Sequence, residues 1–124
     1  MGKVIKGHGI GRKIGFPTAN LELSEEKILP KNGVYCGWAL VNKKKFWCVA
    51  NIGSRPTFGK NEITFEVHLI DFNRDITGKK ISVFLIEKLR TEKEFASIND
   101  LVEQIRKDIN SAKKILSRIS VARN

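Results

Sequence analysis

At 124 residues, 41% hydrophobic and 29% charged, the chain is sized for one domain with one core, and no apolar run approaches the ~20 residues that a membrane-spanning helix requires. Residues 1–6 pass directly into a strand-like alternation, so no secretory leader is expected there, and a cytoplasmic setting is. The 23 Lys and Arg against 13 Asp and Glu leave a net charge of +10, which draws polyanions but does not choose among nucleotides, nucleic acid and an acidic membrane face.

Residues 3–6 form the first expected strand. The run from Gly7 to Asn20, GHGIGRKIGFPTAN, then places four glycines and two adjacent cations ahead of a Pro-Thr-Ala-Asn tetrapeptide. Glycine lets successive amides turn inward and lets a ligand approach the main chain, while Arg12 and Lys13 bring positive charge to the same place. A pair of tight turns between strands would use the same glycines. The spacing is neither that of a Walker A loop, which closes on Gly-Lys-Ser/Thr, nor that of a dinucleotide fingerprint, which needs a helix to follow directly. Pro17 and the Asn-Leu-Glu-Leu run argue for an extended segment, in which Thr18 and Asn20, two residues apart, face the same side. Their hydroxyl and amide oxygens are hard ligands of the kind Mg²⁺ accepts beside substrate phosphates and water.

Further strands are expected at 34–41, 46–52, 63–70 and 81–87, short β-branched and aromatic runs too closely spaced for crossover helices. Cys36 and Cys48 lie in these strands without metal-ligand spacing and read as reduced, buried thiols. Lys43, Lys44 and Lys45 read as a solvated hairpin turn. In 63–70, alternation sends Ile63, Phe65, Val67 and Leu69 to a core face and Thr64, Glu66 and His68 to the other, where Glu66 suits a general base or a substrate-positioning group. A solvated surface role would place the same carboxylate there, and His68, a lone imidazole, reads as structural. Asn51-Ile52-Gly53 runs into an ordered loop carrying Arg55, and residues 89–95 join charges to an aromatic at a hinge. Finally Ile98, Leu101, Val102, Ile105, Ile109, Ala112, Leu116 and Ile119 recur every three or four residues, one apolar helical stripe with Ser97 and Asp100 at its start.

These segments together resemble the riboflavin kinases, in the form found as the carboxyl-terminal module of bacterial bifunctional FAD synthetases. The resemblance rests on Gly2-x-Val4 entering Gly7-x-Gly9-x-Gly11-Arg12, Gly15-Phe16-Pro17-Thr18-Ala19-Asn20-Leu21, Leu29-Pro30 before Gly33-Val34-Tyr35, and Asn51-Ile52-Gly53 with Arg55-Pro56-Thr57-Phe58. It continues through Glu66-Val67-His68-Leu69-Ile70-Asp71-Phe72, Leu89-Arg90 with Glu92 and Phe95, and the Asp108 region, in the family's order along nearly the whole chain.

The resemblance implies a mainly β fold, a six-stranded antiparallel Greek-key barrel over about residues 1–90 with a helix over about 97–118 packed outside. It implies transfer of the ATP γ-phosphoryl group to the 5′-hydroxyl of riboflavin, with ATP and ADP, riboflavin and FMN as partners and Mg²⁺ accompanying ATP. Glu66 matches the family's catalytic carboxylate, and Thr18 and Asn20 its metal and phosphate positions. Gly7, Gly9, Gly11, Arg12, Lys13 and Pro17 match the ATP side, and Arg90, Glu92 and Phe95 the flavin side. Thr77 stands where family members commonly carry tyrosine. The resemblance lacks an amino-terminal adenylyltransferase half, so a longer native protein containing one is expected. The main rival is a small basic β-barrel that tracks single-stranded nucleic acid, whose mark would be a row of exposed aromatics. A flavin-binding module without activity would need loss of Thr18, Asn20 or Glu66, all present.

Overall fold

Period-two runs rich in β-branched and aromatic residues become antiparallel strands, and the final period of three to four becomes one helix. The computed structural model describes the backbone of residues 2–5, 16–22, 30–57, 60–72 and 74–122, and side chains within 16–22, 30–54, 63–72 and 74–119. The elements are β1 (Gly2–Ile5), β2 (Ala19–Glu22), β3 (Gly33–Val41), β4 (Lys44–Thr57), β5 (Lys60–Leu69), β6 (Lys80–Arg90) and α1 (Ile98–Ala122). The expected mainly β antiparallel architecture with one carboxyl-terminal helix is what the chain adopts. The pairing order is β1-β2-β5-β4-β3-β6, with Gly2 and Lys3 of β1 meeting Ile81 and Lys80 of β6. Strands β3, β4 and β5 follow one another as hairpins, and β6 returns beside β3.

Several boundaries differ from expectation. Only Asn42 and Lys43 form the β3–β4 turn, both with positive φ (51° and 68°), the backbone of a two-residue hairpin whose twist matches its strands. Lys44 and Lys45 instead open β4, and the Lys45 ammonium sits 4.1 Å from the centroid of the Trp38 ring. β4 also continues through the segment expected as a loop, because its ladder with β5 persists to Thr57 opposite Lys60. Ile63 is 53% exposed rather than in the core, since its partner is Ser54, beyond the point where the interior packs.

Alternate residues fill the interior, among them Leu21, Tyr35, Ala50, Ile52, Val67 and Ile81. Cys36 and Cys48 are both free and fully buried. On the outer side, Cys36, Trp38 and Ile70 receive Ala112 and Leu116 of α1. Gly37 marks a close approach: a Cβ there would overlap the Phe84 carbonyl, at a register shift in the β3–β6 ladder. α1 begins as its sequence suggests, with Ser97 Oγ accepting from the Asp100 N–H at 3.1 Å. Arg90 of β6 then ties the helix to the sheet. Its Nε donates to both Asp108 carboxylate oxygens at 3.0 and 3.1 Å and its Nη2 to Oδ2 at 2.9 Å. Gln104 donates to the same carboxylate at 3.0 Å, which satisfies a residue only 5% exposed.

Candidate functional site

The outer face of the sheet carries the polar residues that the alternation excludes from the interior. In the register, Asn20 of β2 lies opposite Glu66 of β5, and Glu66 lies opposite Asn51 of β4. Residues directly opposite share a face, so one rung carries amide, carboxylate and amide side by side, with neighbouring Cβ atoms about 4.5–5.5 Å apart. Asn20 and Glu66 are half-buried, while Asn51 is exposed. Thr18, exposed, stands two residues before Asn20, just ahead of β2.

The neighbouring rung pairs Thr64 with Gly53. It lies about 7 Å along the strands from the first. Glu92, beyond the end of β6, reaches back so that its Oε1 occupies the space a Cβ at Gly53 would need, beside the Thr64 hydroxyl. Two carboxylates, Glu66 and Glu92, therefore address adjacent rungs of one face. A Cβ at position 53 would have to displace the second of them.

The first rung continues across β3 and β6 through Val34 to Arg90, which places Arg90 three strands from Glu66, about 14 Å along the sheet. Its guanidinium is engaged with Asp108 and, through Nη1, with the Thr91 carbonyl at 3.0 Å, and its Cζ lies 5.8 Å from the centroid of the half-buried Phe95 ring. Arg90, Glu92 and Phe95 thus belong to one connected segment, with Arg90 anchoring it and Glu92 extended toward the rungs. Pro17, half-buried, accepts a hydrogen bond from His68 Nδ1 at 2.8 Å. Thr77 is exposed, its N–H held by Asp75 Oδ1 at 2.9 Å. The expected phosphate loop, with Gly7, Gly9, Gly11, Arg12 and Lys13, lies outside the described residues.

The donor set suits a hard cation that keeps much of its own water. Among the described residues no three His, Cys, Asp or Glu gather as a metal cluster. The Thr18 hydroxyl and Asn20 amide oxygen are neutral hard ligands, which match Mg²⁺ shared with nucleotide phosphates rather than an ion caged by protein alone. Asn51 is the residue whose place the sequence left open. It was visible as part of an Asn-Ile-Gly run, but only the register sets it against Glu66.

Among the described residues no helix is long and apolar enough to cross a membrane. Residues 1–116 match the family model for flavokinase, that is, riboflavin kinase. The chain is 44% identical over 121 residues to the RNA-binding riboflavin kinase RibR of Bacillus subtilis (strain 168), covering 97% of this chain and 52% of that one. It is 45% identical over 121 residues to the bifunctional riboflavin kinase/FMN adenylyltransferase of Buchnera aphidicola subsp. Schizaphis graminum, covering 95% and 38% respectively. It therefore spans about half or less of the length of these curated relatives. The crystal structure of riboflavin kinase from Trypanosoma brucei superposes with a TM-score of 0.70 at 28% identity, covering 94% of this chain and 77% of that one. On the extent of the family match and these identities, the chain belongs to the riboflavin kinase family.

Proposed function

We propose that this chain transfers the γ-phosphoryl group of ATP to the ribityl 5′-hydroxyl of riboflavin, giving FMN and ADP, with Mg²⁺ on the nucleotide. The observation that carries this reading is the rung Asn20–Glu66–Asn51 with Thr18 at its edge, a carboxylate set directly beside the candidate metal ligands. Family membership supplies the substrates.

Phosphoryl transfer passes through a loose transition state, so alignment and charge neutralisation outweigh strong base catalysis. A carboxylate is too weak a base to ionise an alcohol in advance. Glu66 instead accepts a hydrogen bond from the 5′-hydroxyl and orients its oxygen at the γ-phosphorus. As the new oxygen–phosphorus bond forms and the bond to the β–γ bridging oxygen breaks, the hydroxyl proton passes to the Glu66 carboxylate and ADP departs. Mg²⁺, when bound, neutralises charge on the phosphates, and Thr18 and Asn20 are the residues that would hold it. Gly7, Gly9, Gly11, Arg12, Lys13 and Pro17 are assigned to ATP. Arg90, Glu92 and Phe95 are assigned to the flavin side, Glu92 by direct approach and Arg90 by holding the segment.

The same reading takes residues 1–124 as one domain, a Greek-key barrel of the riboflavin kinase type over about 1–90 with its helix over about 97–118 outside, working in the cytoplasm. It also pairs the chain with an adenylyltransferase module in a longer protein, on the precedent of the bifunctional relatives. The single-stranded nucleic acid reading finds less support. Trp38 and Phe65 are buried, and among the described aromatics Phe84, 52% exposed, is the one that stands out on the surface, where stacking platforms use several. RNA binding is carried in the name of one relative.

Incubation of the protein with riboflavin, ATP and Mg²⁺ should give FMN by mass, with none formed when the metal is chelated. Absence of FMN at micromolar enzyme would refute the reading.

A further inference from the structure

Phe16, Pro17 and Thr18 precede β2 and lie outside its ladder with β5, whose pairs are Ala19 with Val67 and Asn20 with Glu66. Proline has no N–H to give a neighbouring strand. The approach to Thr18 therefore needs a tether other than sheet pairing, and His68 provides it. Its Nδ1 donates to the Pro17 carbonyl at 2.8 Å. Its ring also meets Phe16 edge-on, with centroids 6.0 Å apart and planes at 77°. His68 stands two residues from Glu66 on the same half-buried face of β5.

We infer that His68 is a positioning residue: by holding the Pro17 carbonyl it fixes Thr18 beside the Asn20–Glu66 rung and so sets the affinity for magnesium nucleotide. The inference rests on the kinase reading above and gives His68 a part in it that the sequence alone did not. A carbonyl can only accept, so the hydrogen resides on Nδ1, and a second proton would enter at Nε2 and leave the tether intact. The strand that carries the candidate catalytic carboxylate thereby also holds the candidate metal-ligand segment, and the two cannot drift apart independently. A histidine kept only to fill space would be replaceable by any side chain of similar bulk, wherever its donor lay.

Two substitutions separate these roles. Asn places an N–H close to the Nδ1 position, whereas Gln places it one methylene farther, near Nε2. In calorimetric titration with Mg·ADP, His68→Gln should raise Kd roughly tenfold, about the loss of one well-placed contact, while His68→Asn stays close to the native value. Initial rates should show the same split, with KM for Mg·ATP raised in the Gln variant and kcat nearly unchanged. Thermal unfolding verifies that each variant retains the fold. Unchanged Kd in both variants, or equal weakening in both, overturns the inference. So does a long-range ¹H–¹⁵N spectrum of the native protein that finds the His68 hydrogen on Nε2 and none on Nδ1, a readout that needs neither a variant nor turnover. Native protein that forms no FMN and binds no Mg·ADP overturns the kinase reading itself, a result read before any substitution is made.

Discussion

Asn20 and Glu66 face each other directly across the β2–β5 ladder. The candidate metal ligand and the candidate proton acceptor are thus fixed by backbone pairing rather than by loops, and each can be removed without disturbing the interior.

Glu66→Gln keeps the shape and a hydrogen-bonding oxygen but cannot take the hydroxyl proton. The expected outcome is a fall in kcat of roughly 10²–10⁴-fold with Mg·ADP affinity nearly intact. Steady-state rates combined with calorimetry check it, and near-native turnover would remove Glu66 from the catalytic role.

Thr18→Ala and Asn20→Ala each delete one neutral oxygen from the candidate Mg²⁺ site. Each should raise the Mg²⁺ concentration for half-maximal rate about tenfold, equivalent to ~1.4 kcal/mol. Metal titrations at fixed ATP provide the measurement, and native metal dependence in both variants would displace the site.

Asp108→Ala leaves the Arg90 guanidinium partly buried without its carboxylate. The loss in stability should be about 3 kcal/mol, read by urea denaturation, whereas replacing both partners by apolar residues of similar volume should recover most of it. Because the segment carrying Glu92 follows Arg90 directly, the single variant should also weaken riboflavin binding, measured by flavin fluorescence.

Lys43 holds a positive φ of 68° that a side chain resists and glycine does not. Lys43→Gly should raise stability by about 0.5 kcal/mol, the relief of left-handed strain less the extra freedom of glycine in the unfolded chain. A decrease in the thermal midpoint would contradict the turn geometry.

Burial pushes the Cys48 thiol up to about 12 from its ordinary 9.0, with Cys36 adding in the same direction. The folded protein therefore holds this proton more tightly than the unfolded chain does. The resulting stability is fully present below pH 9.0 and is lost progressively as pH rises toward 12. The advantage of the native protein over Cys48→Ala in urea denaturation should shrink between about pH 9 and about pH 12. A constant difference would count against a neutral buried thiol.

The sequence spoke most clearly where local periodicity carries the information. The alternation around Glu66 announced which side chains leave the interior, and Phe65, Val67 and Leu69 are indeed buried while Thr64, Glu66 and His68 are not. The stripe on α1 likewise delivered Ala112 and Leu116 to the sheet. Partnership across strands was not legible, because a strand's own pattern fixes its face but not which neighbour it meets or in what register. Hence Asn51 opposite Glu66, Arg90 bound to Asp108 and His68 holding Pro17 emerge only in three dimensions. Ile63 failed for a related reason, since alternation cannot say where along a strand the packed interior stops.

Glu66 and its flanking amides point away from the apolar filling, so the candidate reacting groups and the filling share a backbone but no volume. Repacking inside, for example at Val67 or Ile52, should move the melting temperature while leaving the choice of substrate untouched. Selectivity between a bulky and a slim alcohol would have to be tuned from the peripheral segments instead, which makes heat resistance and substrate scope separately adjustable in this architecture.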